Sequence, residues 1–310
     1  MQSFAHKMEE APRGLRSTLP VAEPDEPTAT SSKQDAKARL IILERGRADR
    51  NYWSDLWAYR ELFVILAWRD LAVRYKQTAL GLVWAVIRPL LTVTVLTIVF
   101  GRLARLPGDG SAPYVLMVYA GTLIWFLIST IFGDASNSLI SNKNLIGKVY
   151  FPRLIVPSAY VVVALVDFAI SFVLLLVTAT WLGFWPDWRI ILLPVFVALG
   201  VLASLGPALC FAALNVKYRD FRYIIPFLLQ FGLYVSPIGF SSAAVPEEWR
   251  LLYSLNPIVG IVDGVRWCLL RGEAQLYVPG FLLSIGIIVL LLIGGIKYFR
   301  QTERSFADIL

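Results

Sequence analysis

From residue 81 onward, long apolar runs alternate with short polar connections. Six runs, roughly 81–100, 113–132, 154–182, 190–214, 223–240 and 276–298, are long enough to cross a hydrocarbon core of about 30 Å, which takes on the order of 20 helical residues. Each is predicted to be a helix, because a segment in lipid must satisfy its own backbone groups. Residues 1–50 have the opposite pattern. Pro12, Pro20, Pro24 and Pro27 stand among Ser, Thr, Glu, Asp and Lys, and no apolar run exceeds Leu40 to Leu43. That composition predicts a disordered cytoplasmic tail ahead of a membrane domain at 51–310. The tail also lacks the apolar core of a secretory signal, so the N-terminus is expected to stay inside the cell.

Two stretches fit neither class. Arg60 to Pro89 begins with Arg60, Glu61, Arg69, Asp70, Arg74 and Lys76 interleaved with Leu62, Phe63, Leu66 and Trp68, a mixture suited to a helix lying at lipid headgroups. Its apolar stripe of Tyr59, Leu62, Leu66 and Val73 is interrupted by Arg69 at helical spacing. The chain is expected to turn into the first span after Thr78. Between the fifth and sixth runs, Pro257 to Leu270 is apolar but carries Asp263 and Arg266 and is too short to span. It is predicted to be a shallow re-entrant helix on the outer face, at the mouth of a pathway. The fold class is therefore an all-α membrane protein with six transmembrane helices, an N-terminal amphipathic interface helix and short re-entrant outer helices.

Composition agrees with this class: 57% of residues are hydrophobic, only 16% are charged, and the mean hydropathy is +0.64. The net charge of +7 comes from residues clustered between the spans, which argues for membrane topology rather than nucleic-acid binding. Arg39, Arg45, Arg47, Arg50, Arg60, Arg69, Arg74 and Lys76 precede the first span, and six spans then place both termini in the cytoplasm. Cys210 and Cys268 lie in apolar surroundings without CxxC spacing, and the single histidine, His6, sits in the tail. Neither a metal centre nor histidine catalysis is supported.

No motif supplies chemistry of the chain's own. Gly147 and Lys148 lack both the preceding glycine and the following Ser or Thr of a phosphate-binding loop, and neither GxSxG nor HExxH occurs. Transport would draw on a partner subunit or an ion gradient. Arg88 in the first span and Asp167 in the third are costly in lipid and should face a bundle interior or an aqueous path. They either satisfy each other structurally, or Arg88 holds an anionic headgroup such as a phosphate and Asp167 relays protons. Asp134 is the one further acid near a span end. Phe227, Phe231 and Tyr234 recur at i, i+4 and i+7; Trp125 shares a face with Thr122 and Ser129, and Trp84 opens the first span. These aromatics are either packing surfaces or a path on which sugar rings stack.

The connection Ser136 to Pro157 is longer than a simple link requires. Leu139, Ile140, Leu145 and Ile146 are spaced to present an apolar knob to a cytoplasmic partner. At this point the chain resembles the ABC-2 type membrane subunits that export polysaccharides such as O-antigen, capsule and teichoic acid. The resemblance rests, in order, on LWAYRELFVILAWRDLAVRYKQTALGLVWAVIRP, SNKNLIGKVYFPRLIVP, LVDF, NVKYRDFRYIIPFLLQ, YVSPIGF and LNPI. It implies a half-transporter in the bacterial inner membrane that pairs with a second copy and with two ATP-binding cassette subunits, which bind the ATP and magnesium, this chain having no cofactor. It further implies that Asn142, Lys143, Asn144, Leu145, Ile146 and Lys148 contact the ATPase, with Lys217, Tyr218, Arg219 and Asp220 as a smaller second contact. The expected cargo is a lipid-linked glycan, with another lipid or small amphiphile, or a gradient-driven carrier mechanism, as alternatives. Arg74, Lys76, Trp84, Arg88, Trp125, Phe227, Phe231 and Tyr234 are the expected substrate path, Arg74 and Lys76 forming an entrance sill.

Overall fold

The computed structural model describes residues 52–76, 81–149, 151–218, 220–303 and 306. The expected tail at 1–50, the turn at Thr78 and Arg219 lie outside the described residues. Among those described, every regular element is helical. The helices are α1 (Tyr52–Ala58), α2 (Arg60–Lys76), α3 (Gly81–Leu96), α4 (Tyr114–Ser141), α5 (Lys143–Ile146), α6 (Ile155–Trp181), α7 (Leu193–Lys217), α8 (Phe221–Val235), α9 (Glu247–Tyr253), α10 (Pro257–Leu269) and α11 (Val278–Glu303). A looser π-helical segment, Thr97–Leu103, prolongs α3. Five helical stretches are long and apolar enough to cross a membrane, those built on α3, α4, α6, α7 and α11.

The central helix is α4: 83% of its apolar stretch is buried, against 17–33% for the other four. Its 28 residues extend about 42 Å, so it outruns the expected end at 132 and carries Asp134 to Ser141 beyond the apolar layer. The polar end is paired internally. Asn215 of α7 donates through Nδ2 to the Asn137 carboxamide (3.0 Å) and the Ser136 carbonyl (3.3 Å). On the far side, α7 and α11 meet backbone to backbone, where a Cβ on Gly295 would stand 2.0 Å from the Gly206 carbonyl oxygen. Only glycine permits that approach, as small residues do between membrane helices.

The fifth apolar run departs from its expected form. Its helix, α8, stops at Val235, and 15 residues reach only about 22 Å. Apart from a short 3-10 turn at Ser242–Ala244, the chain then runs irregularly to α9, with Ser236 to Gly239 buried. Irregular backbone is tolerated at such depth only when its polar groups find partners in the protein. Arg266, fully buried on α10, supplies them. Its guanidinium donates to the carbonyls of Ile238 (2.8 Å), Phe240 (2.9 Å) and Met117 (3.2 Å). The intervening Gly239 carbonyl accepts from the Tyr114 hydroxyl at 2.6 Å.

The helix that carries Arg266, expected as a short re-entrant element, is surrounded by protein. Asn256 caps α10 through the Ile258 amide and Pro257 opens it, but ten of its 13 residues are buried against α4, α7 and α11. Its charges have partners: Asp263 accepts from Ser242 at 2.7 Å, and Asp109 lies 3.9 Å from Arg266. Burial suits its continuous apolar sequence once the Arg266 donors are met by carbonyl oxygens.

Arg266→Met should leave the Ile238 and Phe240 carbonyls buried without a donor, at about 1–3 kcal/mol each. The expected result is a clear fall in melting temperature in detergent. Arg266→Lys, which keeps the charge but not the planar fork, should fall between. Unchanged melting of the Met variant would contradict this role.

Candidate functional site

The charged end of α2 packs against α6, and the contact explains the residue that spoiled its apolar stripe. Arg69 turns along the helix, donating to Asp70 (2.6 Å) and to the Asn142 carboxamide (2.7 Å) at the end of α4. Leu66 and Ala67 are buried beside it, with Tyr59, Leu62 and Phe63 partly so. Val73 stays exposed.

One turn further on, Arg74 reaches two carboxylates. Its Nη2 lies 2.6 Å from Asp167 of α6 and its Nη1 3.2 Å from Asp134 of α4. The neighbouring Tyr75 hydroxyl also donates to Asp167. Arg74 thus ties α2, α4 and α6 together. Asp167 was expected within reach of Arg88 and is instead held by Arg74 and Tyr75. The reason is geometric: α2 lies against α6 and presents its own cation to the third span. Arg88 rests over the Phe126 ring, 4.9 Å from its centroid. Among the described residues, no carboxylate stands within ion-pair range of Arg88.

Two cavities meet at these cations. The wider, about 740 Å³, is walled by α2, α3, α4, α6 and α8, with Asp70, Thr92, Trp125, Ser129, Asp134 and Gln230 in its lining. The narrower, about 270 Å³, lies between α3 and α6 and includes Trp84, Pro89 and Phe168. Arg74, Arg88, Phe126 and Thr130 line both. The linings carry two arginines, Arg74 and Arg88, and three aspartates, Asp70, Asp134 and Asp167, a formal charge of −1. They are unevenly paired: Asp134 and Asp167 lean on Arg74, Asp70 pairs with Arg69, and Arg88 rests on Phe126.

The expected path residues divide. Arg74, Arg88, Trp84 and Trp125 line the cavities. Trp125 lies against α8 where a Cβ on Gly232 would stand 2.7 Å from its ring. Ser129 joins it, but Thr122 is buried and its hydroxyl bonds back to the Val118 carbonyl at 2.7 Å. Lys76 ends α2 outside both linings, its ammonium 5.7 Å from the Trp68 ring. Phe227, Phe231 and Tyr234 form an exposed face of α8, the two phenylalanines stacked at 6.2 Å. That face lines neither cavity; Leu229, Gln230 and Leu233 do. Tyr160, Phe126 and Gln230 carried no sequence signal, because each is a single residue within an apolar run.

At the far end of α4, α5 is a single turn. Leu139 and Ile146 are buried in the chain's own core and Leu145 is partly buried, so the apolar knob turns inward. Asn142 is also buried, bonded to Arg69 and, through Nδ2, to the Ser138 carbonyl at 2.9 Å. Lys143, Asn144 and Lys148 are exposed. Lys217, Tyr218 and Asp220 are exposed as well, the Lys217 ammonium 5.1 Å from the Tyr218 ring. The core beneath α5 includes Tyr52 of α1; burial, with Glu303 beside it, pushes the Tyr52 hydroxyl above its usual range. Among the described residues, no group of three or more metal-ligating side chains converges.

Comparison with known proteins places these features in a family. Residues 61–270 match the ABC-2 type transporter family, a range that takes in α2, both cavities, α5 and Arg266. The chain is 27% identical over 256 residues to the O-antigen export system permease protein RfbA of Myxococcus xanthus, covering 82% of this chain and 97% of the relative. A protein of the same name from Klebsiella pneumoniae is 26% identical over 251 residues, 81% and 95% of the two chains. The polysialic acid transport protein KpsM of Escherichia coli is 23% identical over 241 residues, 76% and 92%. With more than half of its length matched and its long apolar helices in place, the chain belongs to the ABC-2 type transporter family and is a multi-pass membrane protein.

Proposed function

We propose that this chain is the permease subunit of an ATP-driven exporter that moves a lipid-linked polysaccharide across a bacterial inner membrane. The observation that carries this reading is the cavity pair at Arg88, a cation on an apolar helix with no carboxylate in ion-pair range among the described residues. It suits the phosphate of a lipid-linked glycan. The names of the relatives, O-antigen export permeases and a polysialic acid transport protein, support a glycan cargo over another lipid or small amphiphile.

In this reading the chain crosses the bilayer six times with both termini in the cytoplasm, the fifth crossing being α8 and the irregular segment beyond it. A second copy completes the pathway, against which the aromatic face of α8 and the apolar face of α3 are turned. Two ATP-binding cassette subunits supply ATP and magnesium and dock on the exposed Lys143, Asn144 and Lys148, with Lys217, Tyr218, Arg219 and Asp220 as the second contact. Because Asn142 and Ile146 are built into the chain's own core, movement at α5 passes directly to α4, and through Arg69 to α2. ATP binding elsewhere then biases a membrane dimer between two arrangements.

The docking surface has a direct check. Charge reversal at Lys143 and Lys148 leaves the buried residues of α5 intact and should weaken co-purification of the ATPase subunit roughly tenfold or more. Undiminished recovery of the complex would contradict the assignment. The energy source has another: transport of lipid-linked glycan into inverted vesicles should stop without ATP and continue after an ionophore collapses the proton gradient. The reverse outcome would make Asp167 part of a proton relay and the chain a secondary carrier.

A further inference from the structure

Away from the cavities, a second group of buried charges lies at the end of α4 opposite α5. Asp109, in the connection before α4, is 7% exposed, and Asp263 and Arg266 on α10 are 5% and 0% exposed. Two adjacent serines of the irregular segment after α8 hold the acids, Ser241 donating to Asp109 and Ser242 to Asp263. The buried cation is already committed. Its Nε, Nη1 and Nη2 each donate to a backbone carbonyl, and Asp109 stands off from it at 3.9 Å. The Asp109 Oδ2 that faces this guanidinium finds no hydrogen-bond donor among the described residues.

With both acids ionised, two carboxylates against one arginine would leave a buried negative charge without compensation, which is costly. One proton removes it. We propose that Asp263 is a proton-binding site and that the proton it takes up holds the segment 236–245 on α10. Asp109 has the approach to Arg266, whereas the direct partner of Asp263 is a neutral hydroxyl. A hydroxyl can donate to a carboxylate or accept from a protonated carboxyl. Burial pushes the Asp263 carboxyl up to about 7, the Ser242 bond and Arg266 opposing the rise and Asp109 assisting it. The groups that face Asp263 are Arg266 on its own helix, Asp109, and Arg250 and Tyr253 of α9, with Tyr114 of α4 near Arg266. Phe196 of α7 and Phe281 and Ser284 of α11, packed at Gly264 and Gly260, bring no charge. Arg250 donates to the Val245 and Ala243 carbonyls, so it serves the same segment. The stability that this proton contributes is fully present below the unfolded carboxylate range, about 4, and is lost as pH rises through about 7. The site needs nothing from transport; the topology proposed above adds only that the proton comes from the outer side.

The test is thermal unfolding of the full chain in detergent from about pH 5 to about pH 8, for the unaltered protein and for Asp263→Asn, which keeps the shape and neutrality of the protonated carboxyl. The variant should melt with the unaltered chain near pH 5 and roughly 2–4 °C above it near pH 8, the gap opening through about pH 7. A gap that does not change with pH, or a variant less stable than the unaltered chain near pH 8, would overturn the proposal. The second result would make ionised Asp263 a required partner of Arg266. If Asp263→Asn does not fold, infrared titration of the unaltered chain decides. A protonated-carboxyl band should disappear with a midpoint near 7, and Asp109→Asn, by removing a like charge, should lower that midpoint by about half a unit or more. No such band, or a midpoint indifferent to Asp109→Asn, would also overturn the site. Amide hydrogen exchange, corrected for its intrinsic pH dependence, locates the effect: protection of 236–245 should fall toward pH 8 in the unaltered chain and stay level in Asp263→Asn. Level protection in both would remove the segment from the proposal. Failure of ATP-driven transport in vesicles would leave all of these outcomes unchanged, so the two readings fail separately.

Discussion

Arg74 holds two carboxylates from two different spans, and the architecture of the site follows from that bond. Charges are expensive among membrane helices and persist where they pair or face a cavity; here they do both. By engaging Asp134 and Asp167 together, Arg74 fixes α2 against α4 and α6 and closes one side of the wider cavity. It also neutralises the two acids that would otherwise compete for Arg88. The anion site proposed at Arg88 therefore depends on a cation one helix away being already occupied.

The same rule operates at the other end of α4. An irregular stretch of backbone after α8 is sustained because Arg266 donates to its carbonyls, using charge to satisfy dipoles rather than carboxylates. One arginine thus shapes the cavity, another completes the fifth apolar segment, and a third, Arg88, is the one proposed to meet a ligand. Between these ends, α4 is the shared element. Its polar terminus leads through the buried Asn142 into α5, so α5 and the cavity wall are joined by a short, bonded connection.

Much of the fold was legible in the sequence because lipid imposes a simple length rule. Uncharged runs gave α3, α4, α6, α7 and α11 close to their observed positions. The rule failed where composition and conformation part. The run at 223–240 stays apolar past Val235, but Ser236 and Pro237 interrupt the helix, and donors distant in sequence, Arg266 and Tyr114, make the break tolerable. The Pro257 to Leu270 stretch was legible as too short to span and as charged, but the carbonyl acceptors for Arg266 cannot be seen in a linear pattern. At the site, the individual charges stood out, yet their partners did not. Asp167 was paired with Arg88 in one of two readings because both are charges within apolar runs, whereas the packing of α2 on α6 gave it Arg74. Leu145 and Ile146 were legible as an apolar pair, but whether it faces outward or into the chain's own core was decided by the fold.

The most direct measurement is a double-mutant cycle on the clamp. Unfolding free energies would be compared for the unaltered chain, Arg74→Gln, Asp134→Asn with Asp167→Asn, and the combined variant. If Arg74 holds the bundle by neutralising both carboxylates, the arginine variant is the least stable, and removing the acids in its background restores stability, with a coupling of about 1–3 kcal/mol. Additive losses with no coupling would show that the contacts are incidental and that the site is shaped by something other than this charge pair.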